Sequence, residues 1–307
     1  MKRITVFGSF NYDMTARMER FPKPGETLMG LDFVTGPGGK GSNQAIAAKR
    51  AGAELNFITK IGTDAFGKEA LKTFDSEGIS AGGVIVDPAL PTGSAFILLD
   101  NTSRQNMIVV NKGASSDFHD EDIAAMRPLL ESTDILLIQL ETNISAVESV
   151  ISIVKNAGGT VILNPAPAAE LSSLVYENTD IITPNETEVE LLTGVSVDSP
   201  ESADEAARIL RERGVRQVAI TLGSNGAYAH DGTSAAVVRA YPVQPVDTTG
   251  AGDTFNGAMT AALAEGKSLF EAVNFANAAA AISVSRPGAG LSAPFREEID
   301  SLLNTCK

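Results

Sequence analysis

Short apolar runs rich in β-branched residues alternate with amphipathic stretches along most of the 307-residue chain. The runs predict buried strands and the amphipathic stretches predict helices. We expect strands at 4–7, 134–140, 160–163, 180–183 and 217–221, and helices at 42–51, 145–156, 185–192 and 202–213. This alternation is typical of βαβ units, so the sequence predicts an α/β fold with a mostly parallel sheet covered on both faces.

Two segments, 14–36 and 92–112, lack the helices of this pattern. The first contains a strand-like run at 27–35, and the second contains two runs, 95–99 and 106–110, around a polar turn at 100–104. Such a pair of runs predicts a β-hairpin. We interpret both segments as a small antiparallel β-lid on a catalytic domain formed by residues 1–13, 37–91 and 113–307, whose last part is helical at 250–264, 268–285 and 294–303.

Composition narrows the classes of function. The chain has 24 Lys and Arg against 38 Asp and Glu, a formal charge of −14, so it lacks the basic face that nucleic-acid binding requires. The single cysteine, Cys306, cannot form an internal disulfide, and no apolar run approaches the roughly 20 residues of a membrane span. We therefore expect a cytoplasmic protein without membrane or nucleic-acid partners.

The most informative segment is 247–257, with the sequence DTTGAGDTFNG. A predicted strand at 241–246 leads into a turn of small residues and then a helix, whose first backbone N–H groups form an anion site. Gly250, Ala251 and Gly252 allow a phosphate to approach the backbone closely. Asp253 beside this site is either a general base for an attacking hydroxyl or a helix cap.

A second glycine-rich segment, 36–45, contains the pattern G-x-G-x-x-G at Gly36, Gly38 and Gly41. A dinucleotide site expects this pattern after the first strand of the main sheet, whereas here it follows a lid strand. Lys40 and Asn43 could instead hold sugar hydroxyls. A glycine-rich hinge without a ligand is the alternative.

Polar residues after the first strand form the third candidate. Asn11 and Asp13 are two residues apart in an extended segment and so face the same side, where an amide and a carboxylate suit a vicinal diol. An Asx-type turn is the alternative.

Two further segments follow later strands. Asn185 and Glu188 share one face of a helix start, which suits either water-mediated Mg²⁺ binding or a capping box. Residues 221–226 form either a phosphate or ribose contact or a tight turn between strands.

Together these motifs resemble the ribokinase family of carbohydrate kinases, also called PfkB-type kinases, over essentially the whole chain. Segments 38–43 (GGKGSN) and 247–253 (DTTGAGD) resemble the two family signatures, and the segments around Asn11, Gln139–Glu141, Asn164–Pro167 and 183–188 match as well. Phe10 and Tyr12 are bulkier than the family pattern around the Asn-x-Asp pair.

The resemblance implies a Rossmann-like, doubly wound domain with a β-lid that pairs with a second subunit's lid in a homodimer. It implies ATP-dependent phosphorylation of D-ribose, with Asp253 as base and Gly250, Ala251 and Gly252 as anion hole. Sugar binding would fall to Asn11, Asp13, Gly39, Lys40, Asn43, Glu141 and Asp253. ATP binding would fall to Asn185, Glu188, Thr221, Gly223, Ser224, Gly226, Gly252 and Asn277, with Glu188 arranging Mg²⁺. A K⁺ ion would lie among Asp247, Thr249, Ser283, Arg286, Gly288 and Ser292, largely on backbone carbonyls.

Three alternatives remain open at this point. A kinase for 2-deoxyribose, ribulose or fructose would use the same motifs. A dinucleotide-dependent oxidoreductase would use Gly36, Gly38 and Gly41 but leaves the turn at 250–253 without a purpose. A sugar-binding regulator without activity would have no reason to place Asp253 in an anion site.

Overall fold

The computed structural model describes residues 2–103 and 105–305. Cys306 and Arg104, the last residue of the turn expected at 100–104, lie outside these ranges. The described strands are β1 (Ile4–Phe7), β2 (Asn11–Met18), β3 (Asp32–Gly38), β4 (Leu55–Gly62), β5 (Val84–Asp87), β6 (Gly93–Asp100), β7 (Asn106–Asn111), β8 (Ile135–Ile138), β9 (Thr160–Leu163), β10 (Ile181–Ile182), β11 (Gln217–Thr221), β12 (Ala227–His230) and β13 (Ala235–Val238). The described α-helices are α1 (Lys40–Arg50), α2 (Ala65–Ser76), α3 (Asp120–Glu131), α4 (Ile144–Asn156), α5 (Ser173–Glu177), α6 (Glu186–Thr193), α7 (Pro200–Glu212), α8 (Ala251–Ala264), α9 (Leu269–Val284) and α10 (Arg296–Thr305).

The larger sheet of the described chain has nine strands in the order β13-β12-β11-β10-β9-β8-β1-β4-β5. Strands β5 to β11 of this order run parallel, and β12 and β13 add an antiparallel edge. The predicted mixed α/β fold is therefore confirmed. In such a sheet the carboxyl ends of the parallel strands meet along one edge, where α/β proteins bind their ligands.

Helices cover both faces of this sheet because its strands are apolar on both sides. On β8, Ile135 and Leu137 pack in one core with helices α1, α2, α8, α9 and α10. Their neighbours Leu136 and Ile138 pack in a second core with α3, α4, α6 and α7. Successive strand residues point to opposite faces, so a continuous apolar run serves two helical layers.

The smaller sheet, which we call the lid sheet, has four described strands in the order β3-β2-β6-β7. Its two outer pairs, β2–β3 and β6–β7, are antiparallel, as expected of two excursions from the main domain. The central pair, β2–β6, runs parallel, so the prediction of a wholly antiparallel lid is wrong. The chain enters β2 and later β6 from the same edge of the main domain, which makes the two strands run in one direction.

Two local predictions also differ from the structure. Residues 241–246 form no strand, because Pro242 and Pro245 cannot donate to a ladder, and the Val246 N–H donates instead to the Val284 carbonyl. The strand expected at 27–35 begins only at Asp32 and continues to Gly38. It can hold Pro37 because β3 is an edge strand.

In the described part of the chain, none of the helices combines the length and the apolar character needed to cross a bilayer.

Candidate active site

The predicted site residues converge where β1, β8, β9, β10 and β11 end, between the N-termini of α1 and α8. The lid sheet stands over this edge. A cleft of about 730 Å³ separates them, lined by Asp13, Thr15 and Arg17 of β2, and by residues 34–37, 246–249 and 287–289 among others. The cleft is thus bounded on one side by the lid sheet and on the other by the turn that leads into Asp253.

Asp253 lies in the first turn of α8 and is almost completely buried. Its Oδ2 accepts a hydrogen bond of 3.0 Å from Asn43 Nδ2, and its Oδ1 accepts one of 3.0 Å from Gln44 Nε2. Burial raises the pKa of Asp253, while the Lys40 ammonium and the two amides act in the opposite direction and Glu141 adds to the rise. A buried carboxylate with a raised pKa is the form in which an acid can accept a proton near neutral pH. No side chain caps α8, so the helix-cap alternative for Asp253 is wrong.

The turn at Gly250–Gly252 has the geometry of an anion site. Gly250 adopts a φ of 73°, in the left-handed region, and a Cβ there would lie 2.9 Å from the Ala289 Cα. A Cβ on Gly252 would meet no atom within 4 Å, so this face of the turn is open to a ligand. Within the described residues nothing accepts a hydrogen bond from the backbone N–H of Gly252 or Asp253. These two donors and the positive end of α8 converge beside the base.

Asn11 and Asp13 lie on β2 of the lid sheet and, as predicted, share one face. Asp13 rests over Gly38 and Asn11 over Gly93, since a Cβ on either glycine would come within 2.2 Å of the side chain above it. Burial and the nearby Glu141 carboxylate raise the pKa of Asp13 to about 7. The bulky residues on either side of Asn11 do not reach the face that carries Asn11 and Asp13. Phe10 is fully buried, and the ring of Tyr12 stacks on that of Phe66 with 4.7 Å between centroids.

Glu141, Lys40 and Asn43 lie near Asp13 and Asp253. Glu141 accepts hydrogen bonds from the Lys40 N–H at 2.8 Å and from the Ser9 hydroxyl. Burial alone would lower the pKa of Lys40, but the carboxylates of Asp253, Glu141 and Glu188 outweigh it and the pKa is raised. The ammonium therefore stays charged among these carboxylates.

The glycine pattern at Gly36, Gly38 and Gly41 serves packing between the lid and α1. Gly36 and Gly38 are strand residues of β3, and Gly39, at a φ of 85°, turns the chain into α1. A Cβ on Gly41 would lie 2.5 Å from the backbone of Gly8 and Ser9. The strand before this turn is an edge strand of the lid sheet and not the first strand of the larger sheet, which argues against a dinucleotide site and an oxidoreductase.

The predicted nucleotide residues lie beyond the other end of the anion turn. Asn185 caps α6 and forms a capping box with Glu188, with bonds of 2.8 and 2.9 Å between side chains and backbone N–H groups. Burial raises the pKa of Glu188, which the Asn185 N–H and Lys40 oppose and Asp253 reinforces. The capping-box interpretation is confirmed, and metal binding by the same pair stays a prediction.

Residues 221–226 form a tight turn next to this cap. Thr221 pairs with Asn185 in an isolated parallel bridge, and Gly223, Ser224 and Asn225 form a single 3₁₀ turn. A Cβ on Gly223 would meet no atom within 4 Å, whereas one on Gly226 would lie 2.1 Å from the Val238 carbonyl. Gly223 thus faces open space and Gly226 is required by packing.

Asn277 is buried on α9, where its Nδ2 donates to the carbonyls of Val238 and Arg239 at 2.9 and 3.2 Å. Asn277 therefore holds the end of β13 next to α9.

The predicted cation residues come together in two adjoining loops. Asp247 accepts hydrogen bonds from the Thr249 N–H at 2.9 Å and from the Gly288 N–H at 3.0 Å, which ties one loop to the other. The Ser283 and Ser292 hydroxyls lie 2.6 Å apart. The Arg286 guanidinium pairs with Glu298 and so contributes no side-chain ligand.

Sequence reasoning missed the buried amides and hydroxyls behind Asp253. These residues form a chain in which each is hydrogen-bonded to the next: Gln139, Gln44, Asn164, Thr183 and Asn256. Three of them directly follow the ends of β8, β9 and β10, and this repeated polar residue after an apolar strand is the signal that could have found them.

The sequence model of the pfkB family carbohydrate kinases matches residues 1–296. The chain belongs to this family. The ribokinase of Haemophilus influenzae is 44% identical over 297 residues, which cover 97% of each chain. The deoxyribokinase of Salmonella typhi is 34% identical over 302 residues, covering 98% of each. Among solved structures, Arabidopsis thaliana ribokinase complexed with ribose and ATP has a TM-score of 0.91 at 34% identity, with 98% of both chains covered.

Membership of the pfkB family identifies the class of reaction. This pfkB kinase is an ATP-dependent sugar kinase, and its buried carboxylate beside free helix N–H groups is an arrangement suited to phosphoryl transfer.

Proposed function

We propose that this pfkB kinase transfers the γ-phosphoryl group of ATP to O5 of D-ribose, giving ribose 5-phosphate and ADP. The observation that carries the proposal is the position of Asp253. Its carboxylate is oriented by two amides at 3.0 Å and lies next to unpaired backbone N–H groups at the start of α8. Support for the sugar comes from the ribokinase similarity described above.

In this mechanism Asp253 accepts the proton of the ribose hydroxyl as its oxygen attacks the γ-phosphorus. The bond from that phosphorus to the bridging oxygen of ADP breaks, and ADP leaves with the electron pair. Negative charge on the transferred group is stabilised at the Gly250–Gly252 turn by the free N–H groups of Gly252 and Asp253, which are already oriented and need no rearrangement. Asn11 and Asp13 hold the sugar diol. The positive charge of Lys40 offsets the negative charge of the surrounding carboxylates, which would otherwise repel the phosphates of ATP.

The residues present fit two cations. Glu188 and Asn185 offer oxygen ligands for Mg²⁺ beside the nucleotide, and Asp247 with neighbouring loop carbonyls offers the single negative charge and oxygen donors that suit K⁺. When bound, Mg²⁺ would neutralise charge on the phosphates, and K⁺ would hold the loop that leads into Gly250 against the loop that follows α9.

A panel of sugars tests the proposal directly. Coupled ADP release should give the highest kcat/KM with D-ribose, and 2-deoxyribose should be at least about tenfold poorer, because a site built for a diol leaves a buried polar group unpaired when one hydroxyl is missing. The similarity to a deoxyribokinase makes 2-deoxyribose the second candidate. Equal or higher kcat/KM with 2-deoxyribose, ribulose or fructose would contradict the assignment to ribose.

The cation assignment has its own experiment. We expect K⁺ to raise the rate over Na⁺ at constant ionic strength, and Asp247→Ala to remove that difference, because Asp247 joins the two loops. Identical wild-type rates in both salts would remove K⁺ from the proposal.

We also propose a homodimer formed through the lid sheet, in a cytoplasmic enzyme. Phe96, Met107 and Val109 lie on the face of this sheet opposite Asp13 and are each about half exposed, at 48, 53 and 61%. A second copy would cover this apolar surface. Light scattering should give twice the chain mass, and Val109→Lys should shift it towards the monomer; a wild-type monomer at micromolar concentration would refute the dimer.

A further inference from the structure

Behind the catalytic carboxylate lies a chain of buried amides that reaches Asp253 from the interior. We infer that Gln44 and Gln139 are positioning residues that orient Asp253 as the base, without touching sugar or nucleotide. The inference rests on the proposed kinase activity and explains how the protein orients the general base of that reaction.

The direction of each hydrogen bond in this chain is fixed. Gln139 Nε2 donates to Gln44 Oε1 at 2.6 Å, so the Gln44 amide must present its own Nε2 on the other side. That nitrogen donates to Asp253 Oδ1 and to Asn164 Oδ1, both at 3.0 Å. A rotated Gln44 amide would place its oxygen against two oxygen acceptors and its nitrogen against the Gln139 nitrogen, so Gln139 adds to the preference for the orientation that serves Asp253. Among the described residues Gln139 Oε1 has no hydrogen-bond partner.

The same chain closes on the anion turn. Asn164 Nδ2 donates to the Thr183 carbonyl at 3.0 Å, and the Thr183 hydroxyl donates to Asn256 Oδ1 at 2.6 Å. Asn256 Nδ2 in turn donates to the Gly252 carbonyl at 2.8 Å. The ring thus returns to the residue before Asp253, and the base and the anion turn are held relative to each other by one set of hydrogen bonds.

Burial separates these residues from the substrate. Gln44 is 0% exposed and Gln139 is 1% exposed, so neither offers surface to a ligand. Asn43, which is 5% exposed, holds the other oxygen of Asp253 and accepts a bond of 3.1 Å from the Gly290 N–H. Any effect of Gln44 on catalysis must therefore pass through Asp253 or through the hydrogen bonds that run from Asn164 to the Gly252 carbonyl.

Four charged groups face Asp253 or its neighbours: Lys40 on α1, Glu141 after β8, Glu188 on α6 and Asp13 on β2. The Gln44 hydrogen bond stabilises the ionised form of Asp253, as Lys40 and Asn43 do. Replacing Gln44 by an apolar residue of similar size leaves all four charges in place and removes that bond, so the pKa of Asp253 should rise.

The test compares Gln44→Met, Gln139→Met and the double variant in single-turnover phosphoryl transfer, with enzyme in excess over ATP and ribose saturating. We expect Gln44→Met to slow transfer by about 10–100-fold, because a bond to a charged group is lost, with ribose affinity changed by less than about threefold. The acid limb of the pH–rate profile, where Asp253 becomes protonated, should move to higher pH. Gln139→Met should shift both readouts in the same direction but less, and the double variant should match Gln44→Met, because Gln139 acts only through Gln44.

Thr133→Val is the matched control. It removes a buried hydroxyl that lies 2.7 Å from the Thr5 hydroxyl, remote from Asp253, so it should lower Tm without moving the acid limb. If Gln44→Met does not fold, Gln139→Met carries the test alone. Additive effects in the double variant, or variants that lose stability with an unmoved acid limb, would overturn the inference. A wild-type enzyme inactive on every sugar would instead refute the proposed function.

Discussion

The two aspartates of the site, Asp253 and Asp13, are held in opposite ways. Asp253 has both carboxylate oxygens bonded to amides of the protein, Asn43 and Gln44. Asp13 accepts no hydrogen bond from any side chain or backbone N–H in the described chain, although burial and Glu141 raise its pKa to about 7. The fold supplies hydrogen-bond donors to the carboxylate of Asp253 and none to that of Asp13, which under the proposed function would take its donors from the sugar.

This difference separates the role of a base from that of a binding group. A base must keep its orientation throughout the reaction, so the protein satisfies it in advance. A binding carboxylate gains most when the ligand replaces a missing hydrogen bond, because an unsatisfied buried acceptor is costly. The comparison predicts that changes at Asp253 affect rate and changes at Asp13 affect affinity.

The largest effect should come from Asp253→Asn. The amide cannot accept the hydroxyl proton, so kcat should fall by about 10²–10⁴-fold while ATP affinity stays close to wild type. Steady-state kinetics and calorimetric titration with ATP measure these quantities. Near-full kcat at saturating ribose would show that the base lies elsewhere.

Asp13→Ala should produce the second effect, an increase in KM for ribose of about 10–100-fold from the loss of a charged hydrogen-bond acceptor. ATP affinity should be nearly unchanged. Asp32→Ala is a suitable control, because Asp32 lies on the same sheet but pairs with Arg17 at 3.3 Å. A fall in ATP affinity with an unchanged ribose KM would reverse the assignment of the two halves of the cleft.

The smallest effect concerns stability without sugar. The pKa of Asp13 is raised from 3.8 to about 7 in the folded chain, so its ionisation increasingly disfavours the folded state as pH rises through that interval. Asp13→Asn removes this penalty and should raise Tm by a few degrees at pH 8, since ~1 kcal/mol shifts Tm by about 2 °C at this size.

At pH 4 the Tm of Asp13→Asn and of wild type should nearly agree. Asp75→Asn, at an exposed position on α2, should show no such dependence on pH. A Tm difference between Asp13→Asn and wild type that stays constant from pH 4 to 8 would mean that Asp13 already has a partner in the folded chain.

The pattern of adjacent residues was enough to predict most helices and strands. The four-residue apolar runs of β1 and β9 and the small-residue turn before α8 were predictable because each is specified by adjacent residues. The strand predicted at residues 241–246 is absent, because their valines suggest a strand while Pro242 and Pro245 prevent one.

Convergence in space was harder to predict. Gln44, Gln139 and Asn164 are far apart in the chain, and only the packing of α1 against the ends of β8 and β9 brings their amides together. The parallel pairing of β2 with β6 likewise depends on where two distant excursions leave the main domain. Contacts of this kind have no local signature in one sequence.

The parallel β2–β6 pair has a mechanical consequence. Asn11 and Asp13 are paired along their backbone with β3 on one side and β6 on the other, so any rotation of the lid sheet carries both side chains with it. Asp253 belongs to a helix of the other body and does not follow. In the proposed reaction, the angle of this one sheet therefore sets the distance between the sugar, held by Asn11 and Asp13, and the base, Asp253.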